Sequence, residues 1–122
     1  MAGKMAGEPD KTVIYHNPKC STSRKTLDLL RDNGLEPTIV QYLKKPPSRD
    51  ELVRMIRDAG IDVRTAVRKR EPLYAELNLT DASDDELLDA MAEHPILIER
   101  PFVVTAKGTR LARPIDAVRE IL

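Results

Sequence analysis

The chain contains one cysteine, Cys20, in the run Asn17-Pro18-Lys19-Cys20-Ser21-Thr22-Ser23-Arg24. A short apolar stretch, Thr12-Val13-Ile14-Tyr15-His16, precedes it, and a helical pattern follows from about Ser21. A thiol at a strand-to-helix junction meets the free N–H groups and the positive dipole end of the helix, and both favour the thiolate. Such positions lower a cysteine pKa from about 8.5 to roughly 3.5–7.5. Arg24 lies one turn further on and adds positive charge. Ser21, Thr22 and Ser23 offer hydroxyls and backbone donors, and His16 ends the strand within reach of the loop. The alternative for a lone cysteine is an inert, buried thiol; the junction and its polar neighbours favour a nucleophile.

Spacing excludes several chemistries. A phosphatase loop built on Cys20 requires arginine at position 26, where Thr26 stands, and the glycine pattern of a Walker loop is absent. Ser23 occupies the place of the second cysteine in a C-x-x-C dithiol. Any redox cycle on Cys20 therefore takes its second thiol from glutathione or another protein. One cysteine and two histidines, not clustered along the chain, give no metal signature. Three further arginines stand out: Arg68 in Ala66-Val67-Arg68-Lys69, Arg100 before Pro101, and Arg113 between Ala112 and Pro114. The planar guanidinium fork suits tetrahedral oxyanions. Solvated surface charge is the default for each, and spacing alone does not bring the three together.

The elements that position these residues follow from periodicity. Residues 12–16 and Thr38-Ile39-Val40-Gln41-Tyr42-Leu43 read as strands, with a helix from about Ser21 to Asn33 between them, Leu27 and Leu30 inward and Gly34 at its end. That is one βαβ unit, whose right-handed crossover makes the strands parallel. After Lys44-Lys45-Pro46-Pro47, two capping boxes (Ser48 with Glu51, Ser83 with Glu86) open helices carrying Leu52, Met55, Ile56 and Ala59, then Leu87, Leu88 and Met91. Residues 62–79 predict short helices and turns. Phe102-Val103-Val104-Thr105 predicts a third strand, Lys107-Gly108 a turn, Thr109 to Ala112 a fourth strand, and Pro114 the start of a last helix with Ile115, Val118 and Ile121 inward. The expected fold is α/β and thioredoxin-like: βαβ plus ββα around a four-stranded mixed sheet, with a helical insertion at about 48–93 between the halves.

A chain of 122 residues has room for one domain, expected over 12–122. Residues 1–11 are small, charged or proline and predict a disordered leader, not a signal peptide. Twenty basic residues balance twenty acidic ones, so no general affinity for nucleic acid or anionic membrane is expected. No apolar run approaches the roughly 20 residues of a membrane span. A lone cysteine cannot build the disulfide framework of a small secreted protein, which points to the cytoplasm. Size and neutral charge suit a monomer.

The segment from Tyr15 to Arg24 resembles the active-site segment of glutaredoxin-linked arsenate reductases. The similarity continues through Tyr42-Leu43 with Pro46-Pro47-Ser48, Val63-Arg64, Arg68-Lys69, His94-Pro95-Ile96-Leu97-Ile98-Glu99-Arg100-Pro101, Gly108-Thr109-Arg110 and Arg113-Pro114. Several motifs in one order make it specific. The resemblance implies Cys20 as the nucleophile, His16 as the activity-related histidine, and Arg68, Arg100 and Arg113 as oxyanion-handling arginines. It places Ser23 and Arg24 at the substrate too, with His16 and Arg24 favouring the thiolate by their charge. It implies arsenate as substrate, no bound cofactor, glutathione as reducing co-substrate and glutaredoxin as partner. It sets Pro101 where thioredoxin-like folds usually carry a cis proline. Some members have a cysteine at the place of Leu111; this chain has none. Two other readings stay open: a glutathione-linked thiol oxidoreductase with another substrate, and a non-enzymatic regulator that binds RNA polymerase. Ser23 breaks the C-x-x-C switch that several such regulators carry.

Overall fold

A computed structural model describes residues 12–122; the expected leader, 1–11, lies outside the described residues. The described chain forms two compact units, one of residues 12–41 with Arg100–Leu122 and the other of Tyr42–Glu99.

The first unit holds the sheet. Strand β1 (Val13–His16) is β-branched and aromatic and buries Ile14 and His16. Cys20 N–H donates to Asn17 O at 3.0 Å, closing the turn that leads into helix α1 (Ser21–Asp32). Gly34, at φ +81°, ends that helix: Gly34 N–H bonds Arg31 O and Leu35 N–H bonds Leu30 O, both at 3.0 Å. Strand β2 (Thr38–Gln41) returns parallel to β1. Strands β3 (Phe102–Thr105) and β4 (Gly108–Leu111) form an antiparallel hairpin, and β3 pairs antiparallel with β1. The order β2-β1-β3-β4 is the four-stranded mixed sheet of a thioredoxin-like fold. Its core joins Ile14, Leu27, Leu30, Val103, Ala112, Val118 and Ile121.

Three details depart from expectation. Strand β2 stops at Gln41, because the chain turns through Tyr42-Leu43-Lys44. The hairpin turn is Ala106-Lys107, one residue earlier than expected. Thr105 pairs directly with Gly108, and Thr105 Oγ1 accepts Lys107 N–H at 3.0 Å. The last element, Ile115–Ile121, is a 3₁₀ helix. Its apolar residues, Ile115, Val118 and Ile121, recur every third position, the spacing that a three-residue turn stacks on one face.

The second unit is helical. Helices α2 (Arg49–Ala59) and α5 (Asp84–Glu93) pack together, each opened by its capping box. Between them lie α3 (Val63–Ala66), α4 (Pro72–Glu76) and a 3₁₀ turn at Leu79–Asp81. Arg64 ties these pieces together by donating to Tyr74 Oη at 2.9 Å, Leu79 O at 3.2 Å and Ala82 O. A second 3₁₀ turn, Pro95–Leu97, leads to an antiparallel bridge between Val67 and Ile98. No helix among the described residues is long and apolar enough to cross a membrane.

The Ser83 hydroxyl accepts Glu86 N–H at 3.2 Å at the start of α5, while Glu86 Oε1 accepts Ser83 N–H at 2.8 Å. Ser83→Ala should cost about 1 kcal/mol of stability. Urea denaturation should show this as a lower midpoint at unchanged slope.

Candidate active site

Cys20 is the N-cap residue of α1, with extended backbone (φ −98°, ψ 123°), and is half-buried. Its carbonyl accepts the first helical bond, from Arg24 N–H at 3.0 Å. The loop is held from within. Asn17 Oδ1 accepts Lys19 N–H at 3.0 Å, and Arg24 Nη1 donates to Pro18 O at 2.8 Å. Ser23 is fully buried, and its Oγ accepts Asn17 N–H at 3.1 Å and lies 2.6 Å from His16 Nδ1. One proton lies between Ser23 Oγ and Nδ1, and the imidazole tautomer decides which of the two groups donates it.

The hairpin brings two of the expected arginines to the thiol. The pairing of Phe102 with Leu111 continues outward through Ala112 N–H donating to Pro101 O at 2.9 Å. In that register Arg100 stands opposite Arg113, and Arg113 Nε donates to Arg100 O at 2.8 Å. Arg113 Nη2 lies 3.7 Å from Cys20 Sγ. Tyr15 pairs with Phe102, so His16, the last residue of β1, and Asn17 beyond it lie at this same end of the sheet. The Arg100-Pro101 and Arg113-Pro114 peptide bonds are both cis.

Burial of Cys20 works against its thiolate, but this is outweighed. The Ser23 backbone N–H, the hydrogen bond and charge of Arg100, and the charge of Arg113 together hold the thiol below its ordinary pKa. The neutral thiol makes no capping hydrogen bond of ordinary length; the Ser23 N–H acts on the charged form. His16 moves the opposite way to the charge expected of it. Its buried site, then the charges of Arg24 and Arg31, lower its pKa, so it is neutral near pH 7. The cations acting on the sulfur are therefore Arg100 and Arg113, while Arg24 holds the Pro18 carbonyl.

Arg100 is only 8% exposed, and its Nε and Nη1 have no hydrogen-bond partner among the described residues. Arg68 belongs to the helical unit, where Nη1 lies 3.4 Å from Glu99 Oε1 and Nε lies 3.9 Å from Glu71 Oε2. Two contributors escaped the sequence reading. Asn17 was read only as turn chemistry, although its side chain orders the loop. Glu99 sits in the family-like run before Arg100, but its pairing with Arg68 depends on the bridge between Val67 and Ile98. Among the described residues no group of three or more His, Cys, Asp or Glu is placed to hold a metal ion.

The ArsC family model matches residues 15–121. An arsenate reductase of Rhizobium meliloti is 60% identical over 90% of this chain and 80% of its own length. One from Escherichia coli K12 is 57% identical over 90% of this chain and 79% of its own. Among solved structures, an arsenate reductase from Vibrio cholerae superposes with a TM-score of 0.86 at 51% identity, covering 92% of this chain and 98% of its own.

Iodoacetamide alkylation of Cys20, followed against pH, should show a midpoint below that of a free thiol. Arg113→Ala should move that midpoint upward, and Arg24→Ala should move it less. Ser23→Ala removes the acceptor for a buried Asn17 N–H and should cost about 1–3 kcal/mol in urea denaturation.

Proposed function

The chain belongs to the ArsC family, and from that footing we propose that it reduces arsenate to arsenite through a covalent adduct on Cys20, with glutathione and glutaredoxin supplying the electrons. The observation that carries this reading is Arg100: a buried guanidinium beside an activated thiol, with two donor nitrogens, Nε and Nη1, that have no partner among the described residues. Buried donors of this kind are costly unless an acceptor answers them, and a tetrahedral oxyanion offers several acceptors at once.

In the proposed cycle Arg100, Arg113 and the N-terminal amides of α1 receive arsenate and neutralise it. Arg68 joins them on the resemblance, with Ser23 contributing its backbone N–H, since its side chain is buried, and Arg24 its charge. The Cys20 thiolate attacks arsenic and an oxygen leaves as water after protonation, giving an S–As bond. Neutral His16, fixed by Ser23, orients the loop. A glutathione thiolate then attacks the Cys20 sulfur. The S–As electron pair leaves with arsenic, which departs as arsenite, reduced from As(V) to As(III). The Cys20–glutathione disulfide that remains is opened by glutaredoxin, and Cys20 returns as the thiol. Two thiols become one disulfide for each arsenic reduced. A protein with one thiol and no resolving cysteine suits this order, and a cycle fed by glutathione suits the cytoplasm.

The test is a coupled assay with arsenate, glutathione, glutaredoxin, glutathione reductase and NADPH. Arsenate-dependent NADPH consumption is expected, and Cys20→Ser should abolish it. Arg100→Ala should lower kcat/KM for arsenate by about 100-fold. No consumption by a protein whose Cys20 still alkylates rapidly at neutral pH would reject arsenate as the substrate.

A further inference from the structure

Arg68 does not wait alone for an anion. The bridge between Val67 and Ile98 is flanked by Arg68 N–H donating to Leu97 O at 2.7 Å and Glu99 N–H donating to Ala66 O at 2.8 Å. These two bonds clamp segment 66–68 to segment 97–99, so the backbone itself fixes where Arg68 and Glu99 start. Their side chains then meet at 3.4 Å, and Glu71, at the start of α4, adds a second carboxylate at 3.9 Å. The three side chains are only 19%, 17% and 25% exposed, so water screens the cluster incompletely. The Arg68 guanidinium thus faces two carboxylates.

We propose that Glu99 is the resident counter-ion of Arg68 and sets which anions the arginine can accept; the proposal rests on the reading of Arg68 as an oxyanion-binding residue. An incoming anion competes with the Glu99 carboxylate for Arg68. A multiply charged tetrahedral oxyanion, with more charge and more acceptors than a carboxylate, makes that exchange favourable. A singly charged anion does not. Glu99 is a positioning and specificity-determining residue: it keeps Arg68 extended and ready, and it competes with weak anions for it. The 3.4 and 3.9 Å separations are longer than a tight charge-assisted bond of about 2.7–2.9 Å, as an exchangeable partner requires.

The test uses sulfate, a tetrahedral oxyanion that the thiol does not reduce, and reads its protection of Cys20 against iodoacetamide. Glu99→Gln should lower the half-protecting sulfate concentration about 5-fold, close to 1 kcal/mol. Glu99→Asp should restore the wild-type value, Glu71→Gln should give a smaller shift in the same direction, and Arg68→Ala should weaken protection. Thermal melting identifies variants that fold. Weaker or unchanged protection in folded Glu99→Gln, with protection lost in Arg68→Ala, overturns the role of Glu99 and leaves the oxyanion site standing. Unchanged protection in Arg68→Ala overturns the assignment of Arg68 and the proposal with it.

Discussion

A guanidinium buried as deeply as Arg100 is tolerable only where negative charge answers it, and a half-buried thiol ionises only where positive charge answers it. Each supplies the other's missing condition. Desolvation is the largest influence on Cys20 and opposes the thiolate, yet the Ser23 amide and the two arginines reverse its effect. The balance depends on geometry, since charge interactions strengthen as separations shrink and as water is excluded. The sheet unit is organised around keeping these groups in place.

Three local devices do so. The strand-to-helix turn aims helix N–H groups at the sulfur. The buried Ser23 hydroxyl ties the helix back to His16 and Asn17 at the strand's end. The β3–β4 hairpin carries the arginines, and its turn decides which residues face one another. With Ala106-Lys107 as the turn, Arg100 stands across from Arg113. A turn at Lys107-Gly108 would have set Arg113 opposite Phe102 and drawn the two cations apart.

Much of the frame was legible because its signals are local. The thiol at the junction, the two capping boxes and the i, i+3, i+4 stripes of α2 and α5 follow from neighbours within a few residues. The order βαβ, helices, ββα followed from the same signals and led to the thioredoxin-like arrangement. What stayed hidden depends on register. The turn was misplaced by one residue because glycine attracts turn assignments, while here Gly108 begins the strand at φ +148°. The 3₁₀ geometry of the last helix was present in the three-residue spacing of Ile115, Val118 and Ile121, but that spacing also fits an α-helix. The charge state of His16 is illegible in sequence because it depends on burial, then on the charges of Arg24 and of Arg31, the latter in the last turn of α1. The partnership of Arg68 with Glu99 links residues far apart in sequence through a single bridge.

Ser23 bears on how such proteins diverge. It occupies the place where a dithiol oxidoreductase carries its second sulfur, so in sequence a single codon change separates two redox chemistries. The fold makes that distance larger. The Ser23 side chain is sealed from solvent and turned toward His16 and Asn17, where a larger sulfur with weaker hydrogen bonding would face groups chosen for a hydroxyl. Under the proposed cycle, a lineage moving from borrowed thiols to a dithiol of its own would have to rebuild the strand end together with residue 23, so that dependence on an outside reductant would be hard to lose by single steps.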